Sequence, residues 1–181
     1  MNDIVSITRA LDFAARIHAS HRRKGLAAEP YINHLAEVAL LLAEATGGKD
    51  TELVMAGLLH DCIEDQGVRF EELAELFGAD VAGLVGEVTD DKSLAKAERK
   101  RLQVEHAPHQ SDRAKLLKIA DKTSNLRSMS SSPPKDWDVK RKQQYFEWAK
   151  AVVAGCRGVS APLEAKFDEA YRSGVSLAPP G

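Results

Sequence analysis

The chain has 181 residues, 44% hydrophobic and 29% charged, and its 25 Lys and Arg nearly balance 27 Asp and Glu, for a formal charge of -2. That length suits one domain, which buries roughly 70% of its unfolded surface, and the composition excludes a disordered chain or a collagen-like repeat. The near-zero charge argues against a general nucleic-acid or membrane binder, and no apolar run approaches the ~18 residues that span a bilayer.

Taken in chain order, the elements are helical. The N-terminus MNDIVSITRALDF carries no signal-peptide core. Ile4, Ile7, Leu11, Ala14 and Ile17 recur at steps of three and four and predict a first amphipathic helix. The Ala- and Leu-rich run from 33 to 46 predicts a second, stopped by Gly47-Gly48. Asp50 is a suitable cap for a third, TELVMAGLLHDCIED, which Gly67 ends. Shorter helices are expected over FEELAELF and ADVAGLVGEVTDD, and a charged one over 96–106 that stops before Pro108. Ser111 or Asp112 can cap AKLLKIADKTSNLRSM. After Pro133-Pro134, Asp136 can cap a helix carrying Trp137, Tyr145, Phe146 and Trp148. A last helix is expected over 161–172. Nothing alternates long enough for a strand, so the prediction is all-α: a single-domain bundle of about nine helices over 1–175, with a flexible tail at 176–181. Cys62 and Cys156 lie far apart, which points to a reducing, cytoplasmic setting without a disulfide framework. Cys62 reads as a packing residue, since no basic group beside it in sequence would activate it.

The segment 56–66, AGLLHDCIEDQ, carries the chemistry. At about 100° per residue, His60, Asp61, Glu64 and Asp65 share one side of a continuous helix, and Ala56, Leu59 and Ile63 the other. A solvated face would set Lys against its Glu; here three carboxylates and an imidazole stand without a cation. A bound metal ion is the natural compensation. His34, in PYINHLAEV, and Asp121, in KIADKTSNL, complete a set of two imidazoles and two carboxylates. Mixed N/O ligation suits Mn, Fe(II) or another borderline divalent ion better than a closed thiolate zinc site. Such an ion acidifies water enough to supply hydroxide near neutral pH. Taken singly, His34 reads more simply as a capping histidine and Asp121 as an ion-pair partner; the ordered set is what points to a metal.

The pattern H…HD…D resembles that of the HD-domain metal-dependent phosphohydrolases. Longer stretches are similar to the hydrolase domain of the RelA/SpoT family, above all to its stand-alone small alarmone hydrolases of the metazoan SpoT-homologue type. They are RRKG at 22–25, PYINH at 30–34, LLHDCIED at 58–65, residues 77–109, AKLLKIADKTSNLR at 114–127 and YFEWA at 145–149. The resemblance implies an all-α fold, one Mn(II) per site, and hydrolysis of the 3′-pyrophosphate of ppGpp and pppGpp to GDP or GTP plus pyrophosphate. It implies His34, His60, Asp61 and Asp121 as metal ligands and Glu64 and Asp65 as the catalytic acidic pair. It also implies Arg23 and Lys24 as phosphate contacts, with Lys96, Asn125 and Tyr145 lining the nucleotide site. Leu35, Gln66 and Thr123 depart from the family's usual residues without removing any of these groups. The expected partner is a small guanine nucleotide, with neither nucleic acid nor membrane. The length leaves no room for the synthetase, TGS and ACT domains of long family members, so alarmone synthesis is not expected.

Physical chemistry supports these assignments. A pyrophosphate beside three carboxylates is repelled unless cations and the ion offset that field. Tyr145 suits either base stacking or the core. Arg99, Lys100 and Arg101 read as a solvated face, and Arg127 as a structural ion-pair partner. Two other readings stand beside the first: the same chemistry on another ribose-phosphorylated nucleotide such as NADPH, and a non-catalytic nucleotide-binding regulator.

Overall fold

Side-chain caps start at least four of the helices. Asn2 accepts from the Ile4 amide, Asp50 from Leu53, Ser111 from Ala114 and Asp138 from Arg141, and each satisfies a first-turn amide that has no helical partner. The computed structural model describes residues 2–176. Its helices are α1 (Asp3–Ile17), α2 (Ile32–Thr46), α3 (Thr51–Leu59), α4 (Cys62–Gln66), α5 (Phe70–Phe77), α6 (Ala79–Val88), α7 (Lys96–His106), α8 (Asp112–Ser131), α9 (Val139–Cys156) and α10 (Ala161–Ser176). A 3-10 turn at Ala107–His109 joins α7 to α8. Among the described residues there is no strand, only an isolated bridge between Arg22 and Pro30 that closes the loop before α2. No helix among them is long and apolar enough to cross a membrane.

The all-α expectation holds, with three local corrections. The helix expected over 51–65 is two helices. His60 keeps a helical backbone, but Asp61 sits at φ -98°, ψ 2°, outside the helical basin. The His60 imidazole donates to the Gly57 carbonyl, an acceptor of the last turn of α3. One predicted helix thus becomes α3 and α4, and nine becomes ten. Secondly, α9 is capped by Asp138 rather than Asp136, so Trp137 stands in the turn before the helix, its amide bonded to the Pro134 carbonyl. Thirdly, α10 runs to Ser176, beyond the expected end at 172; the rest of the tail expected at 176–181 lies outside the described residues.

The long α8 packs against α2, α6, α9 and α10. Leu117, Ile119 and Leu126 of α8 are buried in one core with Leu35, Val38 and Leu42 of α2 and Phe167 of α10. This packing brings the first turn of α2, the α3–α4 break and the middle of α8 together. The α2–α3 contact is tight at Gly57, where an added Cβ would lie 2.7 Å from Leu42 Cδ1 and 3.3 Å from the Ala39 Cα. Leu42 is fully buried, so turning its Cδ1 aside disturbs the core around it. Overpacking of this kind costs about 1–3 kcal/mol, against a helix-propensity gain near 1 kcal/mol. Gly57→Ala is therefore expected to lower the melting temperature by roughly 2–4 °C per net kcal/mol lost. A thermal melt checks it.

Candidate active site

Four side chains from three places in the chain meet at one point. His34 comes from the first turn of α2, His60 and Asp61 from the α3–α4 break, and Asp121 from the middle of α8. His34 Nε2 lies 3.3 Å from Asp121 Oδ1 and 3.8 Å from Asp61 Oδ2, while His60 Nε2 lies 3.2 Å from Asp61 Oδ2 and 3.8 Å from Asp121 Oδ1. His34, His60 and Asp121 form a compact ligand cluster, with their donor atoms within 4.8 Å of one another.

This set fits a divalent ion. Bonds of ~2.0–2.2 Å place neighbouring ligand atoms roughly 3–3.5 Å apart, close to the spacings found. His60 Nε2 is buried and has no hydrogen-bond partner among the described residues, an orphan that an ion would satisfy. Both rings spend Nδ1 elsewhere, His60 on the Gly57 carbonyl at 2.9 Å and His34 on the Ser124 hydroxyl at 2.8 Å, which leaves both Nε2 atoms facing the cluster.

Charge in the cluster is concentrated and compensated. Burial lowers the pKa of His34. Burial acts the same way on His60, but Asp61 and Asp121 overcome it and push that ring up to about 10. Burial alone would raise both carboxyls. His60 and His34 instead hold Asp61 below the usual carboxylate range, and Lys122 with the two imidazoles does the same for Asp121. Lys122 is itself buried, with Nζ 2.8 Å from Asp121 Oδ2, and the Asn125 amide donates to Asp121 Oδ1 at 2.6 Å. Tyr31 donates its hydroxyl to Asp61 Oδ2 at 2.6 Å. Sequence reasoning missed Tyr31, although its place one turn before His34 is a signal.

Glu64 and Asp65 project from α4 into a cleft of about 400 Å³ that also reaches His60, Asp61 and Asp121. Burial raises the Glu64 pKa, and Asp90 and Asp61 add to the shift; its carboxylate lies 3.3 Å from Arg99 and accepts from the Asp90 amide at 3.3 Å. Asp65 pairs with Lys92 at 2.5 Å.

The residues expected to hold phosphates and nucleotide line the same cleft: Arg23, Lys24, Lys96, Asn125 and Tyr145. Arg23 donates to Asn125 Oδ1 at 3.0 Å, which ties the loop before α2 to α8. Tyr145 lies on the cleft wall, its ring 5.3 Å from Trp148 and 5.5 Å from Trp137. Two residues of α7 expected on a solvated face are corrected. Arg99 reaches Glu64, and Lys100 is half-buried, with Nζ 4.4 Å from the Trp148 ring and 5.2 Å from Tyr145. Burial and the neighbouring Lys96, Lys122 and Arg141 bring the Lys100 ammonium down to about 8. Lys100 follows Lys96 by one turn of α7, a signal that was available in the sequence. Arg101 is exposed and pairs with Glu98 and Glu105, as expected, and Arg127 pairs with Glu37 at 2.9 Å. Cys62 is buried, and burial pushes its thiol pKa up, in keeping with a packing role.

The same cleft thus combines a cluster fit for a cation with basic side chains fit for anions. Comparison with known proteins places the chain in a family. The HD domain family matches residues 10–147. The guanosine-3′,5′-bis(diphosphate) 3′-pyrophosphohydrolase MESH1 of Xenopus tropicalis is 49% identical over 170 residues, covering 94% of this chain and 95% of its own. The human protein of the same name is 46% identical, covering 94% and 96%. A solved structure described as a metazoan orthologue of SpoT that hydrolyses ppGpp superposes with a TM-score of 0.88 at 48% identity, covering 92% of this chain and 94% of its own. With the H…HD…D residues brought together and the likeness running through nearly the whole chain, the protein belongs to the HD-domain family, in its branch of stand-alone RelA/SpoT-type hydrolases.

Proposed function

We propose that the protein hydrolyses the 3′-pyrophosphate of ppGpp and pppGpp, releasing pyrophosphate and GDP or GTP, with Mn(II) as the ion. The observation that carries the reading is one cleft that holds His60, Asp61, Asp121 and the acidic pair together with Arg23, Lys24, Lys96, Lys100 and an aromatic wall. Arg23 stands beside the ligand cluster, joined to Asp121 through Asn125. A substrate that carries several phosphates on one nucleoside matches that mixture of a cation site and basic groups.

His34, His60, Asp61 and Asp121 would hold Mn(II), which when bound supplies Lewis acidity and acidifies water. Glu64, with its raised pKa, accepts the proton of the attacking water. Asp65, held by Lys92, sets the position of that water. The water oxygen bonds to the phosphorus next to the ribose, and the bond from that phosphorus to the 3′ oxygen breaks. Arg23 and Lys24 offset charge on the transferred group, Arg23 as a planar fork and Lys24 as a point charge. Lys96 and Lys100 face the far phosphates, Asn125 is placed for a ribose or phosphate oxygen, and Tyr145 and Trp137 offer faces to the base. A cytoplasmic location belongs to the same reading, which the two free, buried cysteines support. So does a domain over residues 1–175.

Lys100 gives a kinetic prediction. A charge-assisted contact is worth about 1.5–3 kcal/mol, so Lys100→Met should raise KM by about 10-fold or more while changing kcat less. The ammonium is charged below about 8 and neutral above it. For the wild type, kcat/KM should therefore fall as pH rises through that value, and the variant should lack that limb. Steady-state kinetics across pH read both.

The reading is tested by comparing ppGpp, pppGpp, NADPH and a 3′-phosphorylated adenine nucleotide with Mn(II) present. Pyrophosphate release from the guanine nucleotides well above any other release supports it. Preferential release of phosphate from NADPH favours the same chemistry on another substrate. Binding of ppGpp without turnover indicates a regulator.

A further inference from the structure

Each candidate imidazole ligand needs its proton on Nδ1 if Nε2 is to face an ion. For His60 the backbone settles this, because the Gly57 carbonyl only accepts. For His34 the partner is the Ser124 hydroxyl, 2.8 Å from Nδ1. A hydroxyl both gives and accepts, so by itself it fixes no tautomer. Its hydrogen is committed elsewhere. Ser124 Oγ donates to Glu37 Oε2 at 2.7 Å, and Glu37 Oε1 accepts from Arg127 at 2.9 Å. An ion-paired carboxylate accepts only, so Ser124 is left to accept from His34. His34 and Ser124 are both buried, with no solvent to substitute for either partner. His34 and Glu37 lie one turn apart on α2, as Ser124 and Arg127 do on α8.

We propose that Glu37 and Ser124, braced by Arg127, form a positioning relay that holds His34 as its Nδ1–H tautomer and so keeps the Nε2 lone pair directed at the ion. The proposal rests on the reading of His34 as a ligand. Neither Glu37 nor Ser124 touches the ion or the substrate; both act through the ring. Asp121, on the same helix as Ser124, has no such relay because a carboxylate has no tautomer to fix. Outer partners of ligating histidines typically change metal affinity by about 10- to 100-fold, and Ser124→Ala is expected to weaken Mn(II) binding by that amount. Ser124→Thr keeps a hydroxyl and should restore it. Glu37→Ala frees the hydroxyl hydrogen to turn toward His34 and should weaken binding in the same direction, by less.

The test uses the whole chain and Mn(II) alone. Titrations followed by the electron paramagnetic resonance of free Mn(II) give the affinities. Long-range proton–nitrogen NMR of the metal-free protein gives the His34 tautomer, a readout that a merely structural role would not move. Nδ1–H in the wild type, lost in Ser124→Ala and kept in Ser124→Thr, with affinities in the same order, supports the relay. If Ser124→Ala melts too low to measure, Glu37→Ala decides. An Nε2–H ring in the metal-free wild type overturns the relay. So do variants within about twofold of wild-type affinity, well below the usual effect of such partners. A wild type that takes up no Mn(II) overturns the metal reading itself, and the relay with it, whereas tight wild-type binding that survives both alanine variants overturns the relay alone.

Discussion

Asp61→Ala is expected to lose Mn(II) and turnover together. The carboxylate stands 3.2 Å from His60 Nε2 and 3.8 Å from His34 Nε2, at the edge of the ligand cluster, and its other role is to accept from Tyr31. Its removal leaves two imidazoles and one carboxylate, and takes away one of the two negative charges that favour a cation between the rings. Removing an outer partner of a ligand costs about 10- to 100-fold in affinity, so losing the ligand itself should cost more than ~100-fold. A catalytic ion supplies several kcal/mol of transition-state stabilisation, so kcat/KM should fall by about 10³-fold or more at limiting Mn(II). His60→Ala should behave alike. Dialysis against Mn(II) followed by metal analysis reads the first effect and initial rates the second. A variant that keeps its ion yet loses turnover would move Asp61 from ligand to catalytic group.

Glu64→Ala should separate the two. Its carboxylate is engaged by Arg99 and the Asp90 amide rather than by the ligand cluster, so the variant should bind Mn(II) like the wild type. A positioned general base contributes about 10²- to 10⁴-fold, and kcat should fall by that factor. Glu64 works as a carboxylate, and burial and its acidic neighbours raise its pKa above the ordinary value. Activity should therefore be full above that raised pKa and decline as pH falls through it. That acid limb should be absent from the residual activity of the variant. Normal hydrolysis of ppGpp by Glu64→Ala would remove this residue from the mechanism.

The parts of this site that were legible in sequence are those where residue type alone is unusual. His60-Asp61 followed by Glu64-Asp65 stands out because no cation accompanies it on a helix. His34 and Asp121 complete the set because imidazole and carboxylate are the donors such an ion takes. The bend at Asp61 was not legible. LLHDCIED holds neither Gly nor Pro, and its period is helical to the end. The break lies where the His60 ring bonds to Gly57 and both side chains face His34 and Asp121 on other helices, which is tertiary information. Asp136 and Asp138 are both good caps, and periodicity cannot choose between them; the choice decides whether Trp137 rides on α9 or stands in the turn at the cleft. Arg99 and Lys100 look like their solvated neighbour Arg101 because a charged helix does not say which of its faces meets a neighbour. The packing of α7 against α9, which brings Lys100 over Trp148, and the reach of Arg99 to Glu64 on α4 distinguish them. Ser124 and Glu37 gave no signal, since each is an ordinary helix-surface residue until α2 and α8 come together.

The central claim is tested most directly by incubating the purified protein with Mn(II) and ppGpp and separating the products. The expected result is GDP and pyrophosphate in equal amounts, abolished by a chelator and restored by Mn(II). Unchanged ppGpp under these conditions, or release of orthophosphate in place of pyrophosphate, would contradict it.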